Sequence, residues 1–197
     1  TRMGCDSANA VQKIGSQIES LSWLTAGGFQ TAISAFVGQN FGAKQPKRVL
    51  KGIRYALSSM IIYGIIISIV MYLIPGPIFS IFSSDKTTVV KGIDYLKILA
   101  ISQTFMIIES LVGGALNGLG KTIPQSIVSL TFNIMRIPMA YFLIRHYGLN
   151  GIWLAITISS IFKGIVIYIW FKLYIRSSEI FKNIKLSKST FDDKIIM

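Results

Sequence analysis

Residues 37–51 read VGQNFGAKQPKRVLK, and this polar, cationic hinge lies between two hydrophobic runs of 30 residues each. The first run, Ile14–Ala43, contains one charged residue, Glu19, and the second run, Tyr55–Ser84, contains none. About 20 helical residues cross the hydrocarbon core of a bilayer, and a long soluble helix would need a polar face. The hinge therefore indicates a turn between two membrane spans.

Three more hydrophobic runs follow, each with a single charged residue. They are Ile98–Gly120 with Glu109, Thr122–Ile144 with Arg136, and Tyr147–Phe171 with Lys163. Five runs leave little chain for a soluble domain, so we predict an all-α membrane protein with five transmembrane helices. The predicted helices cover about residues 7–41, 51–74, 95–119, 123–145 and 150–175. They form one transmembrane lobe over residues 1–176, and residues 177–197 are predicted to be a cytoplasmic tail.

The formal net charge of +12 is distributed unevenly along the chain. Cations gather in Lys44–Arg54, which holds five and no acid, and in the segment after Phe171. Such an excess is typical of cytoplasmic loops, whereas nucleic-acid binding requires a basic face on a folded soluble surface. We therefore predict a multi-pass protein of the cell (inner or plasma) membrane that binds no nucleic acid. The alternation of loops places the N-terminus outside and the C-terminus in the cytoplasm.

Residues for metal binding or covalent catalysis are scarce, because Cys5 and His146 are the only cysteine and histidine. No intrachain disulfide or thiolate metal site is expected. Residues 118–122, GLGKT, share letters with a phosphate-binding loop but lack its earlier glycine and its strand. The sequence thus predicts a non-enzyme without metal or cofactor. It starts without Met and without the usual signal peptide, so we interpret it as a piece of a longer protein.

Ionisable residues within the predicted spans are the candidates for function, since a charge in the bilayer is costly and faces a cavity or a partner. Glu109, Arg136 and Lys163 are predicted near mid-membrane. Glu109 is either a proton or cation site or the acid of a structural ion pair with Arg136 or Lys163. Glu19 lies nearer the outer edge, where it either lines a cavity or is solvated at the mouth of the bundle.

Two further groups of residues complete the predicted site. The candidate ion or substrate pathway consists of Glu19, Gln103, Glu109, Asn133 and Arg136. Close helix packing is predicted where two glycines are four residues apart, at Gly38 with Gly42 and at Gly114 with Gly118, because glycine lets helix backbones approach. The polar amides Gln39 and Asn40 need a partner or a wet cavity if they lie in lipid.

The order of residues in the hinge resembles a known family. Gly38–Ala43, followed by Lys44–Arg48, resembles the end of the second helix of a lobe in multidrug and toxic compound extrusion (MATE) transporters. Residues 114–124, GALNGLGKTIP, resemble the stop before a lobe's fifth helix in that family, and residues 148–153, GLNGIW, resemble the start of its sixth. The resemblance implies that the five helices are helices 8–12 of a twelve-helix, two-lobe fold. Its missing partners would be helix seven and the N-terminal lobe.

The same resemblance implies a function. The family exports small organic, often cationic, compounds through a bilayer by alternating access, in exchange for protons or sodium. Some relatives carry an acid in the tenth helix at the position of Met106, so here either Glu109 substitutes from the next turn or coupling resides in the missing lobe.

Two alternatives stay open. The first is a lipid-linked oligosaccharide flippase of the same superfamily, in which Arg136 and Lys163 would bind pyrophosphate. The second is a membrane assembly subunit without transport activity.

Overall fold

A computed structural model of the protein describes residues 2–178 and residue 181, with side chains described from Asn9 onward. The described part of the chain is helical and contains no strand. Its six helices are α1 (Arg2–Gly42), α2 (Pro46–Leu73), α3 (Pro75–Ser80), α4 (Lys86–Gly118), α5 (Ile123–Tyr147) and α6 (Leu149–Ser177). The predicted tail, 177–197, lies outside the described residues except for positions 177, 178 and 181.

The hinge is a compact helix stop followed at once by a new helix. Lys44 takes a left-handed conformation with φ of 55°. The amide of Gln45 donates to the carbonyl of Asn40 (2.9 Å), and the amide of Lys44 donates to that of Phe41 (3.0 Å). These two bonds form a Schellman motif, which satisfies carbonyls at the end of a helix. Pro46 then opens α2, where its missing N–H costs nothing.

The end of α4 repeats this geometry. Gly120 has φ of 72°. The amide of Lys121 donates to the carbonyl of Leu116 (2.9 Å), and that of Gly120 donates to Asn117 (2.9 Å). In both helices the left-handed residue stands two positions after the second glycine of the pair. The letters GLGKT therefore belong to a helix stop.

The start of α4 corrects the predicted boundary. The helix begins at Lys86 instead of about residue 95. Asp85 explains the difference, because its carboxylate accepts hydrogen bonds from the amides of Thr87 (3.3 Å) and Thr88 (3.0 Å). An aspartate before a helix satisfies such amides as an N-cap. The short helix α3 was predicted only as an apolar piece. The remaining predicted ends lie within five residues of the observed ones.

Helix α4 is the centre of the lobe and packs against α1, α2, α3 and α6, whereas α5 packs mainly on α6. Helix α1 runs parallel to α4, since Glu19 contacts Tyr95 near one end and Ser34 faces Gly118 near the other. A Cβ added to Gly118 would lie 2.5 Å from the Ser34 carbonyl oxygen. The backbones of α1 and α4 thus approach closely at this glycine.

The other glycines of the predicted packing motifs differ in their contacts. A Cβ at Gly114 would clash with the Gln30 carbonyl, a Cβ at Gly38 would meet Gly118 at 3.5 Å, and one at Gly42 would meet nothing within 4 Å. Close approach therefore involves α4 glycines facing α1, and Gly42 does not take part in it. Gln39 is exposed, and the Asn40 side chain donates back to the Phe36 carbonyl (2.7 Å).

Four helices in the described residues, α2, α4, α5 and α6, are long and apolar enough to cross a membrane by length and composition. The fifth predicted span, α1, is not among them. Its low charge suggested a span, but its many serine, glutamine and glycine residues lower its hydropathy. Nevertheless α1 lies beside α4 from Tyr95 to Gly118, a rise of about 35 Å, so it covers the same thickness as a helix that is apolar enough.

Candidate functional site

A cavity of about 510 Å³ opens between α1, α4, α5 and α6. All five residues of the predicted pathway line it, namely Glu19, Gln103, Glu109, Asn133 and Arg136. Lys163 and Met106 line it too. The stripes come from helical periodicity, since residues three or four positions apart share a helix face. This volume is in the range of small-molecule sites, about 300–1,000 Å³.

Glu109 lies in an ion pair on the floor of the cavity, which α4 and α6 form. Its Oε2 is 3.2 Å from the Lys163 Nζ, and its Oε1 accepts a hydrogen bond from the Ser129 hydroxyl (2.9 Å). Of the two cations that the sequence offered as partners, Lys163 is the one that pairs with Glu109. Both charges are therefore compensated within the lobe.

Arg136 bonds to a neutral group instead of an acid. Its Nε donates to the Ser159 hydroxyl on α6 (2.9 Å). Among the described residues, no hydrogen bond or ion pair engages its two Nη atoms. The planar guanidinium retains four N–H donors on these atoms, at a residue that lines the cavity.

Glu19 is buried, with 8 % of its surface exposed. The prediction of a solvated residue at the mouth of the bundle is therefore wrong, because α4 covers this part of α1. The Tyr95 hydroxyl donates to the Glu19 Oε1 (2.6 Å). In the described part of the chain no cation lies within ion-pair distance of Glu19, so its charge is not compensated there.

A small network that the sequence did not reveal holds Tyr95 in place. The Gln12 amide donates to the Tyr95 hydroxyl (3.5 Å), and Trp153 Nε1 donates to the Gln12 Oε1 (3.2 Å). The Tyr95 and Trp153 rings meet edge to face with centroids 5.2 Å apart. Gly15 leaves room for the Tyr95 ring. These partners are far apart in sequence, and only the unusual polar aromatic at the start of a hydrophobic run hinted at them.

Comparison with known proteins identifies the family. A sequence model of the family described as MatE matches residues 5–142. The chain belongs to the MatE family. Members of this family are membrane transporters and not enzymes, which confirms the resemblance and the non-enzymatic prediction.

Relatives of known name show how much of a MATE transporter this chain covers. It is 30 % identical over 167 residues to the probable multidrug resistance protein NorM of Thermotoga maritima, covering 83 % of this chain and 36 % of that protein. It is 23 % identical over 163 residues to the FAD transporter of Shewanella oneidensis, covering 82 % of this chain and 36 % of the relative. The chain thus spans about a third of the length of these relatives.

Solved MATE structures share the fold. The chain resembles the Vibrio cholerae MATE transporter VcmN in the bent form with a TM-score of 0.75 and 22 % identity, covering 87 % of this chain and 39 % of that one. An outward-facing multidrug resistance MATE transporter gives a TM-score of 0.77 at 19 % identity, covering 85 % and 38 %. The prediction of an all-α MATE lobe is confirmed.

Proposed function

We propose that the complete protein exports organic compounds across the cell membrane by alternating access, in exchange for protons or sodium. The main support is the cavity between four helices of a MATE lobe, lined by acids and bases that a membrane protein would otherwise avoid. In this proposal the hinge end of the lobe and the C-terminus face the cytoplasm. The N-terminus of this chain lies outside, and the remaining lobe of the transporter covers the cavity.

We propose Glu19 as the coupling carboxylate of this lobe. Its only described hydrogen-bond partner is the neutral Tyr95 hydroxyl, so a bound proton or sodium ion would change the charge of the cavity there. Glu109 is less suited to this role, since Lys163 already compensates it. A coupling ion drives transport only if it favours one conformation over the other, and a carboxylate that gains or loses net charge supplies that bias.

The test is efflux of ethidium from cells or proteoliposomes that contain the complete protein, driven separately by a proton and by a sodium gradient. We expect Glu19→Gln to reduce gradient-driven efflux to background. Tyr95→Phe is the matched control, because it removes the hydrogen bond but leaves the carboxylate, and it should retain coupled efflux. Undiminished coupling in Glu19→Gln combined with its loss in Glu109→Gln would move the role to Glu109.

The flippase alternative is supported by one observation, the unengaged Nη atoms of Arg136 beside Lys163 in the same cavity. A guanidinium binds phosphate well. If the protein is a flippase, Arg136→Ala and Lys163→Ala should impair assembly of the cell envelope. If instead they leave envelope assembly intact and change drug sensitivity, this alternative fails.

A further inference from the structure

The charged residues of the cavity are arranged by helix. The floor is formed by α4 and α6, which pack on each other, while α1 packs on α4 and α5 packs on α6. Helices α1 and α5 therefore form two walls. Glu19 is the charged residue that the α1 wall contributes, and Arg136 is the one that the α5 wall contributes.

The floor carries no net charge between these walls. Its two ionisable residues, Glu109 and Lys163, neutralise each other at 3.2 Å. A ligand in the cavity would therefore meet uncompensated charge only on the walls. The sign is negative at Glu19 and positive at Arg136.

The two wall charges lie at the same depth. On the α1 side, the Ser110 hydroxyl next to Glu109 donates to the carbonyl of Ala26 (3.3 Å). On the α5 side, Ser129 donates to Glu109 itself. Glu19 precedes Ala26 by seven residues and Arg136 follows Ser129 by seven, and α1 and α5 run in opposite directions. Each is therefore two turns, about 10 Å, from the level of Glu109 and toward the same end of the lobe.

A third group in the cavity lacks a partner. Gln103 is 1 % exposed, and its side-chain amide nitrogen has no hydrogen-bond partner in the described residues. A buried donor without an acceptor is costly, and Gln103 lies on the floor between the two walls. A ligand with an acceptor group would satisfy it.

We propose that this cavity binds organic zwitterions, with the cationic group toward Glu19 on α1 and the anionic group toward Arg136 on α5. Trp23, Met106 and Ile156 line the same space and supply apolar surface for the body of the ligand. The inference rests on the proposed transport function, and it specifies the substrate class and its orientation in this lobe.

The arrangement links the ligand to the coupling ion. A proton on Glu19 removes the negative wall charge and so weakens the hold on the cationic group. The other charged groups around the cavity are Arg136 on α5 and the Glu109–Lys163 pair on α4 and α6, and α4 also presents Tyr95 to Glu19. Because coupling between two ligands is reciprocal, zwitterion affinity should fall as the pH is lowered, as exchange requires.

The experiment measures binding to the complete protein in nanodiscs of neutral lipid by titration calorimetry. Three biphenyl probes are compared. One carries an aminomethyl group at one para end and a carboxylate at the other, and the other two carry only the aminomethyl group or only the carboxylate. We expect the zwitterion to bind about tenfold more tightly than either singly charged probe, since a hydrogen bond to a charged group is worth about that factor.

The variants assign each end of the zwitterion. Glu19→Gln should abolish its advantage over the anionic probe and also its pH dependence. Arg136→Gln should abolish its advantage over the cationic probe, and Arg136→Lys should restore part of it. Ser159→Ala removes the bond that holds Arg136 without removing charge, so it reports a merely structural role. Arg145→Gln is the matched control on α5, because Arg145 bonds to Tyr141 at the helix end and should leave all three affinities unchanged.

Equal affinity for the zwitterion and the cationic probe, unaltered by Arg136→Gln, would overturn the inference. So would tenfold weaker binding of all three probes in Ser159→Ala with normal binding in Arg136→Gln. Failure of the two proposals can be told apart. Ethidium efflux without the zwitterion preference contradicts the inference alone, and the binding pattern without efflux of any probe contradicts the transport function.

Discussion

At the scale of single residues, Asp85 has a well-defined role at the start of α4. Besides two backbone amides, its carboxylate accepts hydrogen bonds from the hydroxyls of Thr87 (2.7 Å) and Thr88 (2.6 Å). These bonds, first those from the Thr87 and Thr88 hydroxyls, lower the pKa of Asp85 from 3.8 to about 2. The charged carboxylate thus stabilises the first turn of a helix that packs against four others.

We predict that Asp85→Ala speeds amide hydrogen exchange at Thr87, Thr88 and Val89, while Asp85→Asn, which keeps a cap acceptor, has a smaller effect. Because the folded-state pKa is the lower one, the stabilisation is complete above 3.8 and is lost as the pH falls through about 2. Exchange measured by mass spectrometry on the complete protein checks both. Equal protection in all three proteins would show that packing alone holds this turn.

At the scale of helices, the contact between α1 and α4 depends on glycines of α4. We predict that Gly118→Ala destabilises the protein by about 1–3 kcal/mol, the usual cost of overpacking, because the new Cβ would lie 2.8 Å from the Val37 Cβ. Gly42→Ala is the matched control from the partner motif, since nothing lies within 4 Å of its Cβ position. Unfolding in mixed micelles measures the difference. If the two variants are equally stable, α1 moves aside at little cost.

At the scale of the whole molecule, the helices determine which loops share a side of the membrane. If α2, α4, α5 and α6 each cross, Lys47 and Lys121 lie on one side and Ser84 on the other. The cations near the hinge predict that the first side is cytoplasmic. All three residues are exposed, so each is suitable for labelling.

We predict that Lys47→Cys and Lys121→Cys, each in a cysteine-free protein, react with an impermeant maleimide only after permeabilisation. Ser84→Cys should react in intact cells. Native Cys5 supplies a further readout, because it reacts from outside only if α1 also crosses the membrane. Labelling of Lys47→Cys in intact cells would invert the orientation, and protection of Cys5 would place α1 as a helix that does not cross.

The sequence by itself determined the fold class, the helix order and the family. Apolar runs far longer than a soluble helix allows leave few architectures, and the hinge 37–51 is a local signal whose turn geometry depends on neighbouring residues only. The pathway residues were also predictable as a set, since ionisable and amide side chains in such runs must face a cavity or a partner.

Only the tertiary structure decided which of these side chains pair. Glu109 could reach either of two cations, and the packing of α4 on α6 gave it Lys163 and left Arg136 without an acid. The burial of Glu19 depends on Tyr95, which lies 76 positions away in sequence. Helical periodicity specifies the face on which a charge lies, but its partner comes from another helix, and the placement of that helix is a property of the whole lobe.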